Sequence, residues 1–122
     1  MKTPKEEILA MKAGRGLNIR VAEDVMRHKF AQDEIFGDME SLDNGVYGYL
    51  QPYSEDISAA WQVIEKLKGY HPRIEFDPYS QNWEATFSAR EADFSYPIVS
   101  ATTAPEAICK AALLALLEVR HD

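Results

Sequence analysis

A chain of 122 residues with 46% hydrophobic residues and a formal charge of −7 has the size and composition of one soluble domain with a real core. Its charge is uneven: seven basic and four acidic side chains precede Phe30, whereas residues 30–65 hold eight acidic residues and no basic one. That acidic stretch reads as solvated and argues against wrapping by a polyanion, because phosphate binding needs clustered Lys and Arg. No apolar core of signal-peptide length opens the chain, and no stretch nears the ~20 apolar residues of a membrane span. The lone Cys109 excludes a disulfide framework within one chain and fits a reducing cytoplasm.

In chain order, Thr3, Pro4 and Glu6 predict a helix start: a capping threonine, proline at the first helical position, and acid at the third. Ile8, Leu9 and Met11 give this helix a short apolar side, and Gly14 is its expected stop. A second helix is predicted over residues 16–30, with Leu17, Val21, Val25 and His28 along one line, Ala22 and Met26 beside it, and Glu23–Arg27 as an outward pair. Residues 31–52 are the least regular. Asp38, Glu40 and Asp43 punctuate them, and Asn44-Gly45 is the favoured dipeptide of a two-residue hairpin turn, with residues 46–50 as the returning strand.

The clearest element follows. Ser54 or Asp56 caps a helix, and Ile57, Ala60, Trp61, Ile64 and Leu67 recur at helical spacing as its apolar stripe. Lys66 and Lys68 suit its last turn, Gly69 the left-handed position beyond, and Pro72 prevents resumption. Trp61, the largest group on the stripe, is expected to anchor the helix on a sheet. Residues 73–77 and 83–88 then alternate apolar and polar as a hairpin buried on one side, with Trp83, Ala85 and Phe87 in phase. A turn is expected at residues 90–93 and a third strand over 94–101, at an edge because Pro97 lacks an N–H. Thr103, Pro105 and Glu106 open the last helix. Its residues 111–117 are apolar without a break, so it is either enclosed on more than one side or covers a partner; a homodimer through this helix is the expectation. The elements sum to a single α+β domain over residues 1–122, with about four helices and a mostly antiparallel sheet of three or more strands.

GRGLNIRVAEDVM (residues 14–26), PYSEDISAAWQVIEKL (52–67), WEATF (83–87) and TAPEAICKAALLALLE (103–118) resemble, in order and spacing, the proteins of the phage ABA-sandwich domain family. The resemblance implies a helix–sheet–helix sandwich, a phage or prophage origin and therefore a host-cell cytoplasm, and no particular reaction. Arg27-His28 stands where a glycine–tryptophan pair is expected.

The residues themselves give little support to catalysis. His28, His71 and His121 are dispersed and Cys109 has no partner at ligand spacing, so neither a metal nor another cofactor is expected. Cys109 reads as a small core residue, and no serine elbow or phosphate loop is present. Asp38, Glu40 and Asp43, or Glu55 and Asp56, are the carboxylates a small hydrolase would use; the simpler reading is loop solvation for the first three and a helix start for the last two. Nucleic-acid binding is disfavoured because Glu106 leads the last helix where a double-stranded RNA binder needs cations. What remains is binding. Tyr53, Ser54 and Asp56 at the helix start, Trp83 as a stacking ring, and Arg15 and Arg73 as cations are the candidate ligand-binding residues, for a small nucleotide-type anion or a host protein. For Trp83, whose spacing matches Ala85 and Phe87, a core position is the stronger reading.

Overall fold

The computed structural model describes residues 2–42, 44–89 and 97–120, with side chains as far as residue 117 in the last segment. Among these residues, four helices and two antiparallel three-stranded sheets make an α+β fold. Helices α1 (Pro4–Ala10) and α2 (Arg15–Asp24) come first, then strands β1 (Phe30–Asp33), β2 (Gly37–Ser41) and β3 (Tyr47–Tyr49). Helix α3 (Ile57–Lys66), strands β4 (His71–Asp77), β5 (Asn82–Ser88) and β6 (Val99–Ala101), and helix α4 (Ala104–Arg120) complete the chain. The sheets are ordered β1-β2-β3 and β4-β5-β6.

Helix α4 is the centre of the packing. Every residue from Ala107 to Ala115 is buried, Lys110 included, because β5 and β6 cover one part of the helix and α1, α2 and α3 cover others. Lys110 is accommodated because Nζ donates to Leu9 O (3.1 Å) and pairs with Glu106 (2.8 Å), which ties the end of α1 to α4. The apolar run is therefore enclosed by its own chain. Self-association through the C-terminal helix loses the argument on which it rested.

Helix α3 meets α4 through small residues. Ala59, Ala60 and Val63 are buried, and short side chains on both helices let the axes approach. Of the expected stripe Ala60 and Leu67 are buried and Ile64 packs on the core, but its other edge is turned out: Ile57 is 51% and Trp61 56% exposed. Trp61 lies about 200° round the helix from Ala59 and Val63, so the core anchor expected at Trp61 is instead a surface ring. Asp56 supplies the cap, accepting from Ser58 N at 2.8 Å, and Gly69 is not among the glycines with positive φ.

Gly14 opens α2 rather than closing α1. It is the N-cap, at φ 141°, a backbone region that disfavours any side chain. The predicted second helix ends early: α2 stops at Asp24, Arg27 turns left-handed at φ 62°, and His28 N returns to Ala22 O at 2.8 Å. The expected Glu23–Arg27 pair is replaced by Arg20–Asp24 at 2.9 Å.

Strands β1 and β2 lie in the stretch that reads as least regular. Asp33 makes their turn, its Oδ1 accepting from Ile35 N (2.7 Å) and Phe36 N (2.9 Å), and Gly37 at φ 80° closes it. The next turn is longer than two residues, since Leu42 N bonds Val46 O at 2.7 Å; Gly45 takes φ 83° within it. The β4–β5 hairpin forms as expected, with Ala85 and Phe87 at 1% exposure facing the core, but Thr86 and Ser88 are buried as well and Phe76 is 48% exposed. Only residues 99–101 of the expected third strand are assigned to a strand; the turn expected at 90–93, residues 94–96, Asp43 and His121 lie outside the described residues.

Candidate functional site

The candidate residues of the α3 start fall into a polar knot in the core. Tyr53 and Ser54 are 1% and 0% exposed. Ser54 N and Oγ both donate to Asn18 Oδ1 (2.8 and 2.6 Å), Ser54 Oγ accepts from Gly14 N (2.9 Å), and Asn18 Nδ2 donates to Glu55 (3.0 Å). Glu55 N and Asp56 N are spent on Pro52 O, each at 3.0 Å. Ser54 N thus joins the loop to α2, Glu55 N and Asp56 N close a turn within the loop, and at the helix start itself Ser58 N is taken by the Asp56 cap.

Beside this knot is a second one, around Glu40. Its carboxylate is 0% exposed, yet it is well supplied. Tyr53 OH donates to Oε1 at 2.7 Å, His28 Nδ1 lies 2.5 Å from the same oxygen, and Gln51 N donates to Oε2 at 2.8 Å. Glu40 is therefore no solvated loop carboxylate. It binds the end of α2, the middle of β2 and the segment before α3 into one unit, as a buried acid must if it is to stay folded in. The left-handed turn at Arg27 brings His28 to the carboxylate.

Over these two knots opens a groove of about 480 Å³, whose lining includes Arg15, Asn18, Phe36, Asp38, Tyr49 and Glu55. Arg15 is the one candidate cation in it. Its guanidinium grips Asp38 through Nε (2.6 Å) and Nη2 (3.1 Å) and lies 5.7 Å from the Phe30 ring centroid. The Arg15 hydrogen bond holds the Asp38 carboxyl below its ordinary range, and Asp38 in turn raises Arg15. Arg15 is thus already neutralised, and with Glu55 the groove carries a net negative charge. A free anion is poorly served here.

The groove continues onto apolar surface. Phe36 and Tyr49 meet edge to face, centroids 6.4 Å apart. Tyr47 and Tyr49 share one face of edge strand β3, beside Ser41 and Met39 of β2. Ile35, Phe36, Val46, Tyr47 and Tyr49 are all 49% exposed or more. Sequence reading singles out neither Asn18, Phe36 nor Gln51, and takes Asp38 as a solvated loop carboxylate rather than the partner of Arg15. The detectable signal for Phe36 was Asp33-x-x-x-Gly37, a turn that fixes the first hairpin and throws Ile35 and Phe36 outward.

Trp83 and Arg73 belong elsewhere. Trp83 is half-buried on β5, tilted against Phe76 at 5.3 Å. Arg73 is exposed on β4, 3.5 Å from Glu75. The six candidate residues are therefore not one site: Arg15 borders the groove, Tyr53 and Ser54 lie beneath it, Asp56 caps α3, and the other two sit on the second sheet. Among the described residues no group of three or more His, Cys, Asp or Glu side chains is placed to hold a metal, and no helix is long and apolar enough to cross a membrane.

Comparison with curated proteins finds no match. Among solved structures, a 2.0 Å crystal structure of a phage protein from Bacillus cereus ATCC 14579 is similar at 26% identity and a TM-score of 0.69, over 94% of this chain and 97% of that one. The model of the Phage ABA sandwich domain matches residues 19–113. This span holds most of α2, both sheets, α3 and most of the buried part of α4, and the chain belongs to that family.

Proposed function

We propose that this protein is a phage or prophage accessory protein that acts in the host cytoplasm by binding another protein, through the outer face of β2–β3 and the adjoining turn. The observation that carries this is the surface at Ile35, Phe36, Val46, Tyr47 and Tyr49. Tyr47 and Tyr49 share one face of edge strand β3, Phe36 meets Tyr49 edge to face, and Ile35 and Val46 stand exposed on the turns at either end of β2, where a lone soluble domain would gain by having polar side chains. Tyrosine and phenylalanine at the centre, with Arg15 and acids at the rim, is the composition of a protein interface. The scaffold beneath is rigid: Glu40, Tyr53, Ser54 and Asn18 are all buried and hydrogen-bonded, so the face is held in place before a partner arrives.

A protein partner is favoured over a nucleotide-type anion because Arg15 is committed to Asp38, and Asp38 and Glu55 leave the groove it borders net negative. It is favoured over hydrolysis because Asp38 and Glu40, the two described carboxylates of the loop cluster, each hold structural partners. The test is affinity capture from host lysate with the wild type and with Tyr47→Asp/Tyr49→Asp. A defined protein retained by the wild type and lost about tenfold or more by the variant, at unchanged melting temperature, supports the reading. Equal retention by both refutes it.

A further inference from the structure

Strand β3 forms an open edge of the first sheet, and its pairing with β2 fixes which backbone groups face outward. Leu42 N donates to Val46 O (2.7 Å) and Leu50 N to Asp38 O (3.1 Å), and Gly48 stands opposite Glu40 in the register. Residues 46, 48 and 50 therefore turn their backbone groups to β2, and antiparallel alternation turns those of Tyr47 and Tyr49 the other way. Among the described residues no strand pairs with β3 on that side, and of the four outward groups only Tyr49 O has a partner, the Gln51 amide at 3.2 Å. Folded proteins commonly blunt such an edge with a charged side chain, a proline or a bulge. The strand here reads Tyr-Gly-Tyr and carries none of these.

Three properties of the edge say what fits it. Outward N–H and C=O groups in alternation are met by an extended backbone rather than by a helix or a side-chain surface. Tyr47 and Tyr49, 49% and 60% exposed on one side of the sheet, favour β-branched or aromatic side chains across from them. On the other side lies the groove, lined by Asp38, Leu50 and Glu55. There Arg15 is bound to Asp38, and Glu55 is exposed with the Asn18 amide on one oxygen. The whole chain carries −7, and residues 30–65 hold eight acidic residues and no basic one. Two copies meeting edge to edge would repel, whereas a cationic segment is attracted.

We propose that the partner enters as an extended segment that adds a fourth strand along β3. Its apolar side chains lie on Tyr47 and Tyr49 and alternate with Lys or Arg turned over the groove toward Glu55. This rests on the protein contact proposed above and names what the partner brings to it.

The test is titration of the full chain with an acetylated, amidated octapeptide of alternating Lys and Val, followed by calorimetry and by residue-resolved amide exchange in NMR. The expected result is saturable one-to-one binding at low ionic strength that slows exchange of the Tyr47 and Tyr49 N–H groups by about tenfold or more. Tyr47→Thr keeps the outward N–H and should weaken binding about threefold. Tyr47→Pro removes that N–H without touching the bonds to β2, and should weaken binding about tenfold or more. Exchange in the wild type covers the case in which Tyr47→Pro fails to fold. A peptide of alternating Glu and Val should bind about tenfold more weakly than the Lys peptide. Heat that never saturates, unchanged exchange at both amides, equal loss in Tyr47→Thr and Tyr47→Pro, or equal affinity for the Glu peptide would each overturn the proposal. If no peptide binds but Tyr47→Asp/Tyr49→Asp still loses the captured lysate protein, strand addition is refuted and the protein contact stands.

Discussion

Tyr53→Phe removes one oxygen atom from the centre of the fold and leaves its shape intact. The tyrosine is 1% exposed and Glu40 0%, and the hydroxyl donates to Glu40 Oε1 at 2.7 Å. In the variant Oε1 keeps the His28 contact and Oε2 keeps the Gln51 N–H, but one donor to a buried carboxylate is gone. A hydrogen bond to a charged group contributes about 1.5–3 kcal/mol, and no cavity cost is added because phenylalanine fills the same space. A loss of about 2 kcal/mol reduces the folding equilibrium constant about 30-fold. For 122 residues the unfolding entropy is about 0.26 kcal/mol/K, so the melting temperature falls by about 8 °C. Thermal unfolding followed by circular dichroism reads this directly, with Tyr47→Phe as the exposed control expected to shift nothing. A shift below about 2 °C for Tyr53→Phe would refute the view that this knot holds α2, β2 and the α3 approach together.

Four further outcomes are expected. Arg27→Gly should raise the melting temperature by about 2 °C, because relief of a left-handed backbone outweighs the added chain entropy by about 0.5 kcal/mol; a fall would show that the arginine side chain matters more than its φ. Lys110→Ala should cost about 3 kcal/mol in denaturant unfolding, since Glu106 and Leu9 O lose their common donor, and Lys110→Met/Glu106→Gln should recover part of it. Cys109 should resist a thiol reagent at pH 8 until the protein unfolds, because burial raises its thiol well above the ordinary value; prompt reaction in the native protein would contradict the enclosure of α4. Asp33 is held below its usual value by the Phe36 and Ile35 N–H groups, and Asp38 by Arg15. Both lowered carboxyls stabilise the fold above the ordinary value of 3.8 and lose that contribution as pH falls through their folded-state values, so Asp38→Asn should flatten the acid side of the melting-temperature profile.

How far the sequence speaks depends on how local the physics is. Thr3 and Thr103 cap their helices as expected, accepting from Glu6 N at 3.2 Å and Glu106 N at 3.4 Å, because a cap is settled within four residues. The β4–β5 hairpin was legible for the same reason: alternation and a turn determine it. Trp61 was misjudged because spacing gives a stripe but not which helix will press against it. The alanines of α3 and α4 permit an approach so close that the large ring is turned out. Glu40 was misread because its partners, His28 and Tyr53, stand 12 and 13 residues away, and acidity alone looks like solvation. Phe36 escaped for a related reason. Phe36 and Tyr49 become neighbours only through the pairing of β2 with β3, strands short enough to hide in an irregular stretch.

The most direct test of the proposed role is amide hydrogen exchange on the captured complex, compared with the free protein. Docking at the first sheet predicts added protection in β3 and its neighbouring turns, at Val46 to Tyr49 and at Ile35 and Phe36. Protection instead at Ile57 to Trp61, where α3 exposes its own apolar pair, or around Phe76 and Trp83 of the second sheet, would place the partner elsewhere and contradict the account.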